Sequence, residues 1–272
     1  MKKIILASLI AISTQFAFAE NKAPTTDPAF AEVEAMVKAN NMTGAYQALE
    51  KLGKAGNAQA LYNLGYLTQT GQGAPKNEKK AIQLYEQSAS KGYPVADYVL
   101  AKNYLAGSLG VKQDTAKAKQ YFEKASAKGF SDATVDLAVL LFSENNPASD
   151  KLALQKLDPL IKKGNFQAIH AKALYDISTG FKNEDEAPIK QGLANIQDLA
   201  QKGYIPALMA VGNMFTNGNI VPQNLPEAKK IFSALAKENV PQAQESLAVV
   251  EKMMAEQAKA PATAPTKAAK KS

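Results

Sequence analysis

Between Asn57 and Gly92, small and apolar residues fall at spacings of three and four, first at Ala60, Leu61, Leu64, Gly65 and Leu67, then at Ala81, Leu84, Tyr85, Ser88 and Ala89. Each set occupies one face of a helix with a period near 3.6. Gly71-Gln72-Gly73-Ala74-Pro75 separates the two sets, a run of turn formers that breaks the helical pattern. Asn77 suits the N-cap of the second helix, because its side-chain oxygen accepts from an orphan amide of the first turn. Gly92 closes that helix, since glycine reaches the left-handed conformation without a Cβ clash. Two helices and a turn make one unit.

The unit recurs. Gly-x-x-x-Ala stands at Gly56/Ala60, Gly92/Ala96, Gly129/Ala133, Gly164/Ala168 and Gly203/Ala207, and Asn239/Ala243 repeats it with asparagine, the next residue to tolerate a left-handed backbone. The alanines are 36, 37, 35, 39 and 36 residues apart. So steady a period is the mark of a stacked array of helix-turn-helix units, none of which buries its apolar face alone. Lysine precedes Gly92, Gly129, Gly164 and Gly203, where it opposes the negative end of each helix dipole. The unit from Ala168 is the most divergent. Its Gly180 comes one place late and Glu184-Asp185-Glu186 precedes Pro188, which predicts a longer, solvated loop.

Caps complete the array. Pro28 to Asn40 and Thr43 to Ala55 supply an N-terminal helix pair, with Ala29, Val33, Met36 and Val37 on one face of the first helix. Gln242 to Gln257 supplies a final helix whose Leu247, Val250 and Met254 cover the open end, while Glu245, Glu251, Lys252 and Glu256 face water. The array thus runs over residues 28–257.

The flanks read differently. Lys2 and Lys3, an apolar run from Ile4 to Phe18 and the small-residue site Ala17-Phe18-Ala19 predict an export signal over 1–19, too short and too polar at Ser8, Ser13, Thr14 and Gln15 to serve as a transmembrane anchor. Residues 20–27 form a flexible lead-in. Residues 258–272, made of Ala, Lys, Pro and Thr, bury too little apolar surface to order and are expected to be disordered. With no cysteine, neither lipidation nor disulfides contribute. The formal charge of +7 falls by two once Lys2 and Lys3 leave, and Lys259, Lys267, Lys270 and Lys271 carry most of the remainder. A nearly neutral folded part argues against a nucleic-acid partner.

Candidate chemistry is sparse. Ser88-x-x-Lys91 matches the Ser-x-x-Lys pair of penicillin-binding enzymes, but Ser-Asp-Asn and Lys-Thr-Gly are missing and Lys91 belongs to the lysine column. Gly71-x-Gly73-x-x-Lys76 follows a helix instead of a strand and reads as a turn, not a phosphate cradle. His170 is the one histidine, which with no cysteine leaves no zinc site, and Glu184, Asp185 and Glu186 lack the alternating ligands of a calcium loop. No catalytic residue, metal or cofactor is expected.

Ala60-x-x-x-Leu64-Gly65, Gly71-x-Gly73, Lys80-Ala81-x-x-Leu84-Tyr85 and Ala89-x-x-Gly92 resemble the Sel-one-like repeat, a relative of the tetratricopeptide repeat. The units from Pro94 and Pro206 repeat the pattern, and those from Asp132 and Gln167 are degenerate. The resemblance implies an all-α fold, an α-solenoid or right-handed superhelix of antiparallel helix-turn-helix repeats, acting as an adaptor that binds proteins or peptides. In such relatives the first helix of each unit lines the concave side. The position two after each anchor alanine then gives Tyr62, Tyr98, Val135, His170, Met209 and Glu245, and the position six after gives Tyr66, Lys102, Val139, Leu174, Asn213 and Val249. Tyr62, Tyr66, Tyr98, Lys102, His170, Met209 and Asn213 are the candidate partner-binding residues; packing of the tyrosines between units is the competing reading. The functional expectation is a monomeric, non-catalytic scaffold of the bacterial cell envelope, periplasmic or secreted, with a protein or peptide partner there. The alternative is an envelope enzyme or cell-wall binder of the penicillin-interacting type that uses Ser88 and Lys91.

Overall fold

The computed structural model describes residues 30–259, and the export signal, the lead-in and the tail from 260 onward lie outside them. The described residues form thirteen helices and no strand: α1 (Ala31–Lys38), α2 (Met42–Lys54), α3 (Ala58–Thr70), α4 (Glu78–Ser90), α5 (Pro94–Ala106), α6 (Thr115–Ala127), α7 (Ser131–Ser143), α8 (Pro147–Lys162), α9 (Phe166–Asn183), α10 (Glu186–Gln201), α11 (Ile205–Asn217), α12 (Leu225–Lys237) and α13 (Ala243–Lys259). They divide into two compact units, residues 30–171 and residues 172–259. In the first, each helix from α1 to α8 packs on its neighbours in sequence; in the second, α10 packs on α11, α11 on α12, and α13 on both α12 and α11. Contacts between chain neighbours are the rule in repeat folds.

The anchor alanines have the environment that the period demands. Ala60, Ala96, Ala133, Ala168, Ala207 and Ala243 are all fully buried. Each sits in the first turn of its helix except Ala243, which opens α13. Five residues further on, Gly65 lies under Tyr85 and Gly212 under Phe232, so close that a Cβ would come within 2.7 Å of the one ring and 2.6 Å of the other. In the intervening unit Ala101 and Phe122 share a core cluster. A small residue on the first helix thus accepts a large ring from the second, which sets how closely the two approach.

Caps fix the ends. The side chains of Asn77, Asp114, Asn146, Asp185 and Asn224 accept from backbone amides at the starts of α4, α6, α8, α10 and α12. At the close of α4, Gly92 N–H donates to Ala89 and Tyr93 N–H to Ser88, the paired bonds of a left-handed helix stop. Gly92 has φ +93° and Asn239, in the same slot, +55°.

Three expectations change. Val37 projects into solvent, and among the α1 positions assigned to the core Val33 is buried and Met36 half-buried. The divergent unit spends its extra length in helix: α9 has 18 residues and α10 has 16, against 13 in α3 and α4. Gly180 is buried inside α9, its absent Cβ leaving room for Ile189, and only Glu184 and Asp185 remain between the helices. The acidic run is therefore a helix start, with Asp185 capping and Glu186 paired to Lys190. Lastly, the lysine column reaches backward. Lys128 Nζ lies 3.4 Å from the Ala89 carbonyl at the end of α4, and Lys91 Nζ lies 3.5 Å from where a Cβ on Gly56 would sit, past the end of α2. These ammonium groups meet the C-terminus of the preceding second helix, not only their own.

Adding a methyl at Gly65 or Gly212 pushes against a buried ring, and Ala96→Leu inserts three carbons into a filled space. Each of Gly65→Ala, Gly212→Ala and Ala96→Leu is expected to destabilise its unit by about 1–3 kcal/mol. Chemical denaturation followed by circular dichroism checks this, and midpoints equal to the parent's would refute the assigned register.

Candidate partner-binding face

In the first unit the first helices are α3, α5 and α7, and their anchor alanines bring the same helical positions to one face. The position two after the anchor is half-buried at Tyr62 and Tyr98 and buried at Val135. Tyr62 packs its ring on Tyr85 of α4 and on Tyr93, with centroids 5.6 and 5.4 Å apart. Tyr98 packs on Phe122 of α6 and on Phe130, at 5.9 and 5.0 Å. Tyr93 and Phe130 are the residues that open α5 and α7 in place of a polar cap. These tyrosines therefore wedge hairpins together and present only part of each ring outward. Burial raises the pKa of both phenols, helped at Tyr98 by the Asp136 carboxylate, so both stay protonated donors.

The position six after the anchor behaves differently. Tyr66 is 49% exposed and Val139 50% exposed, and Lys102 between them in sequence is exposed too. Asp136 links the two positions: its carboxylate accepts from the Tyr98 hydroxyl at 3.1 Å and from Lys102 Nζ at 3.2 Å. His170, early in α9, is half-buried, and burial holds its imidazole below the ordinary histidine value. In the second unit Met209 is half-buried, while Asn213, Leu174 at 42% and Val249 at 54% are exposed. Six large apolar side chains are exposed among the described residues, and four of them, Tyr66, Val139, Leu174 and Val249, occupy this one repeat position. The other two, Val37 and Leu152, lie elsewhere, so most of the exposed large apolar surface falls in one register.

The serine of Ser88-x-x-Lys91 serves the fold. Ser88 is fully buried and donates to the Ala58 carbonyl at 2.6 Å, tying α4 to the start of α3.

Column counting missed two acids and one ion pair. Asp132 and Asp136 lie one before and three after Ala133, a spacing of four that puts both on one face of α7. Asp97, whose side chain is 1% exposed, pairs with Lys128 at 2.5 Å, and the lysine side chain is 32% exposed. The two are 31 residues apart, and no local sequence signal joins them.

Removing either partner of that pair is not equivalent. Lys128→Met strands a buried carboxylate and is expected to cost about 3 kcal/mol, whereas Asp97→Asn leaves a lysine that reaches water and costs less; urea midpoints of the two variants decide the order. His170 supplies a pH dependence. Its folded-state pKa lies below its unfolded value, so the folded chain binds fewer protons and stability falls as pH drops through about 6.5. Between pH 7 and 5.5 the parent should therefore lose more melting temperature than His170→Gln, measured by calorimetry; equal losses would contradict a buried imidazole.

Comparison with known proteins matches this architecture. The Sel1 repeat model fits residues 58–93, 94–130 and 205–240, the units whose turns and rings are described above. A solved Sel1 repeat protein from Oxalobacter formigenes superposes with a TM-score of 0.65 at 21% identity, over 89% of this chain and 100% of that one, a likeness of fold. Among curated proteins, chitin synthase regulatory factor 3 of Schizosaccharomyces pombe is 24% identical over 167 residues, 59% of this chain and 18% of its own length. The human protein sel-1 homolog 2 is 36% identical over 86 residues, 32% of this chain and 12% of its own. The chain spans less than a fifth of either relative. Small residues under rings, asparagine and aspartate caps and left-handed helix stops recur at the matched spacing, so residues 58–93, 94–130 and 205–240 are Sel1 repeats.

Proposed function

We propose that this protein is a non-catalytic scaffold of the bacterial cell envelope, exported by residues 1–19, which binds a protein or peptide partner on the face made by its first helices. Sel1-repeat proteins are generally protein-interaction scaffolds, and that general role agrees with this reading. The carrying observation is the exposed column at Tyr66, Lys102 and Val139 in one unit and Leu174, Asn213 and Val249 in the other. Six residues earlier every anchor is sealed in the core, so the same helices that hold the array together also display it. Tyr62 and Tyr98 fix the floor of this face by packing, and Tyr66 and Val139 supply apolar contact area above it. Among the described residues no helix is long and apolar enough to cross a membrane.

Site-specific photocrosslinking in the native envelope tests the proposal. p-Benzoylphenylalanine in place of Tyr66 or Val139 should yield discrete protein adducts, and the same group in place of Gln83 or Glu123, exposed on the second helices α4 and α6, should not. Tyr66→Ala combined with Val139→Ser should weaken the captured partner's binding by about tenfold while shifting stability by no more than about 0.5 kcal/mol per site. No adduct from either face, or equal adducts from both, would overturn the reading, and fractionation of the full chain into the cytoplasm would overturn its envelope location.

A further inference from the structure

Helices α3, α5 and α7 carry little charge for a solvated surface. α3 has no charged residue, α5 has Asp97 and Lys102, and α7 has Asp132 and Asp136. Three of these four charges are already matched. Asp97 is tied to Lys128, and Asp136 to Lys102 and the Tyr98 hydroxyl. Asp132 is left. Its carboxylate has no hydrogen bond or ion pair among the described residues, and it is half-buried in the first turn of α7, following Phe130 and Ser131. Two residues before it stands Phe130, whose ring packs 5.0 Å from that of Tyr98. Partial burial, together with the Asp136 carboxylate one helical turn away, raises its pKa above the usual aspartate value, the signature of an anion short of a counter-charge.

A half-buried carboxylate without a counter-charge suits an ammonium or guanidinium, which gains a charge-assisted bond to it. The apolar positions Tyr66 and Val139 belong to the same helical faces. Resting on the scaffold reading above, we infer that this face docks a segment of a partner protein that carries a lysine or arginine next to an apolar side chain, the cation pairing with Asp132 and the apolar group covering the exposed column. An acidic segment is disfavoured, because it would place a second anion against Asp132 and Asp136 with Lys102 already engaged.

Selection of a displayed random dodecapeptide library on the purified full chain tests the inference. Recovered peptides should be enriched in Lys or Arg beside an apolar residue relative to the starting library. The same selection on Asp132→Asn should keep the apolar preference and lose the basic one. A recovered peptide, synthesised and fluorescently labelled, should bind the parent about tenfold more tightly than its version with norleucine in place of the cation. This last comparison needs no altered protein and holds even if Asp132→Asn folds poorly. Peptides without basic enrichment, a basic preference that survives Asp132→Asn in a folded variant, or unchanged affinity with norleucine would each overturn the inference and leave the scaffold reading standing. Recovery of no peptide at all would overturn both.

Discussion

Everything in this chain depends on the close approach of two helices at a residue too small to keep them apart. Where Gly65 meets Tyr85 and Gly212 meets Phe232, the ring occupies the volume a side chain would have filled. The anchor alanines five residues earlier are fully buried. Tight contact of this kind supplies dispersion energy that a looser fit forfeits, and no disulfide shares the task in a chain without cysteine. Each junction forms its own small core, one around Leu49, Leu61 and Leu64, the next around Tyr85 and Leu100, the next around Phe122, Leu137 and Leu157.

That economy decides which side chains remain for function. Once the inward positions of a first helix are committed to small and apolar residues, the outward ones bear no packing duty and vary from unit to unit: Tyr66, Lys102 and Val139 share one slot. The half-buried positions between them have divided loyalty. Tyr62 and Tyr98 spend their rings on hairpin packing, and Tyr98 gives its hydroxyl to Asp136. Tyr62 and Tyr98 pack between hairpins, whereas Tyr66 is exposed.

The hairpins were legible because their signals are local and repeated. Asn77 as a cap, Gly92 and Asn239 as left-handed stops and the six anchors all follow from spacing within about forty residues. The divergent unit misled for a physical reason: a late glycine beside an acidic run suggests a loop, yet Gly180 is in α9 to admit Ile189, and Asp185 caps the next helix. Lys91 and Lys128 of the lysine column also reach the end of the preceding second helix, because a flexible four-carbon stem spans a hairpin junction that a helix-by-helix reading does not see. On the candidate face, Asp132 and Asp136 escaped notice since counting two and six from each anchor skips the position before the anchor and position three, and only coordinates show that Tyr98, Lys102 and Asp136 meet.

The Asp97–Lys128 bond also bears on how the molecule is made. A ribosome delivers Asp97 some 31 residues before the lysine that neutralises it, by which time α5 and α6 have already been synthesised. Until that lysine arrives, the newborn hairpin must either hold an unmatched anion in a dry place or stay open. Completion of one repeat is thereby deferred to the threshold of the next, and the chain matures in overlapping steps, not one finished hairpin at a time.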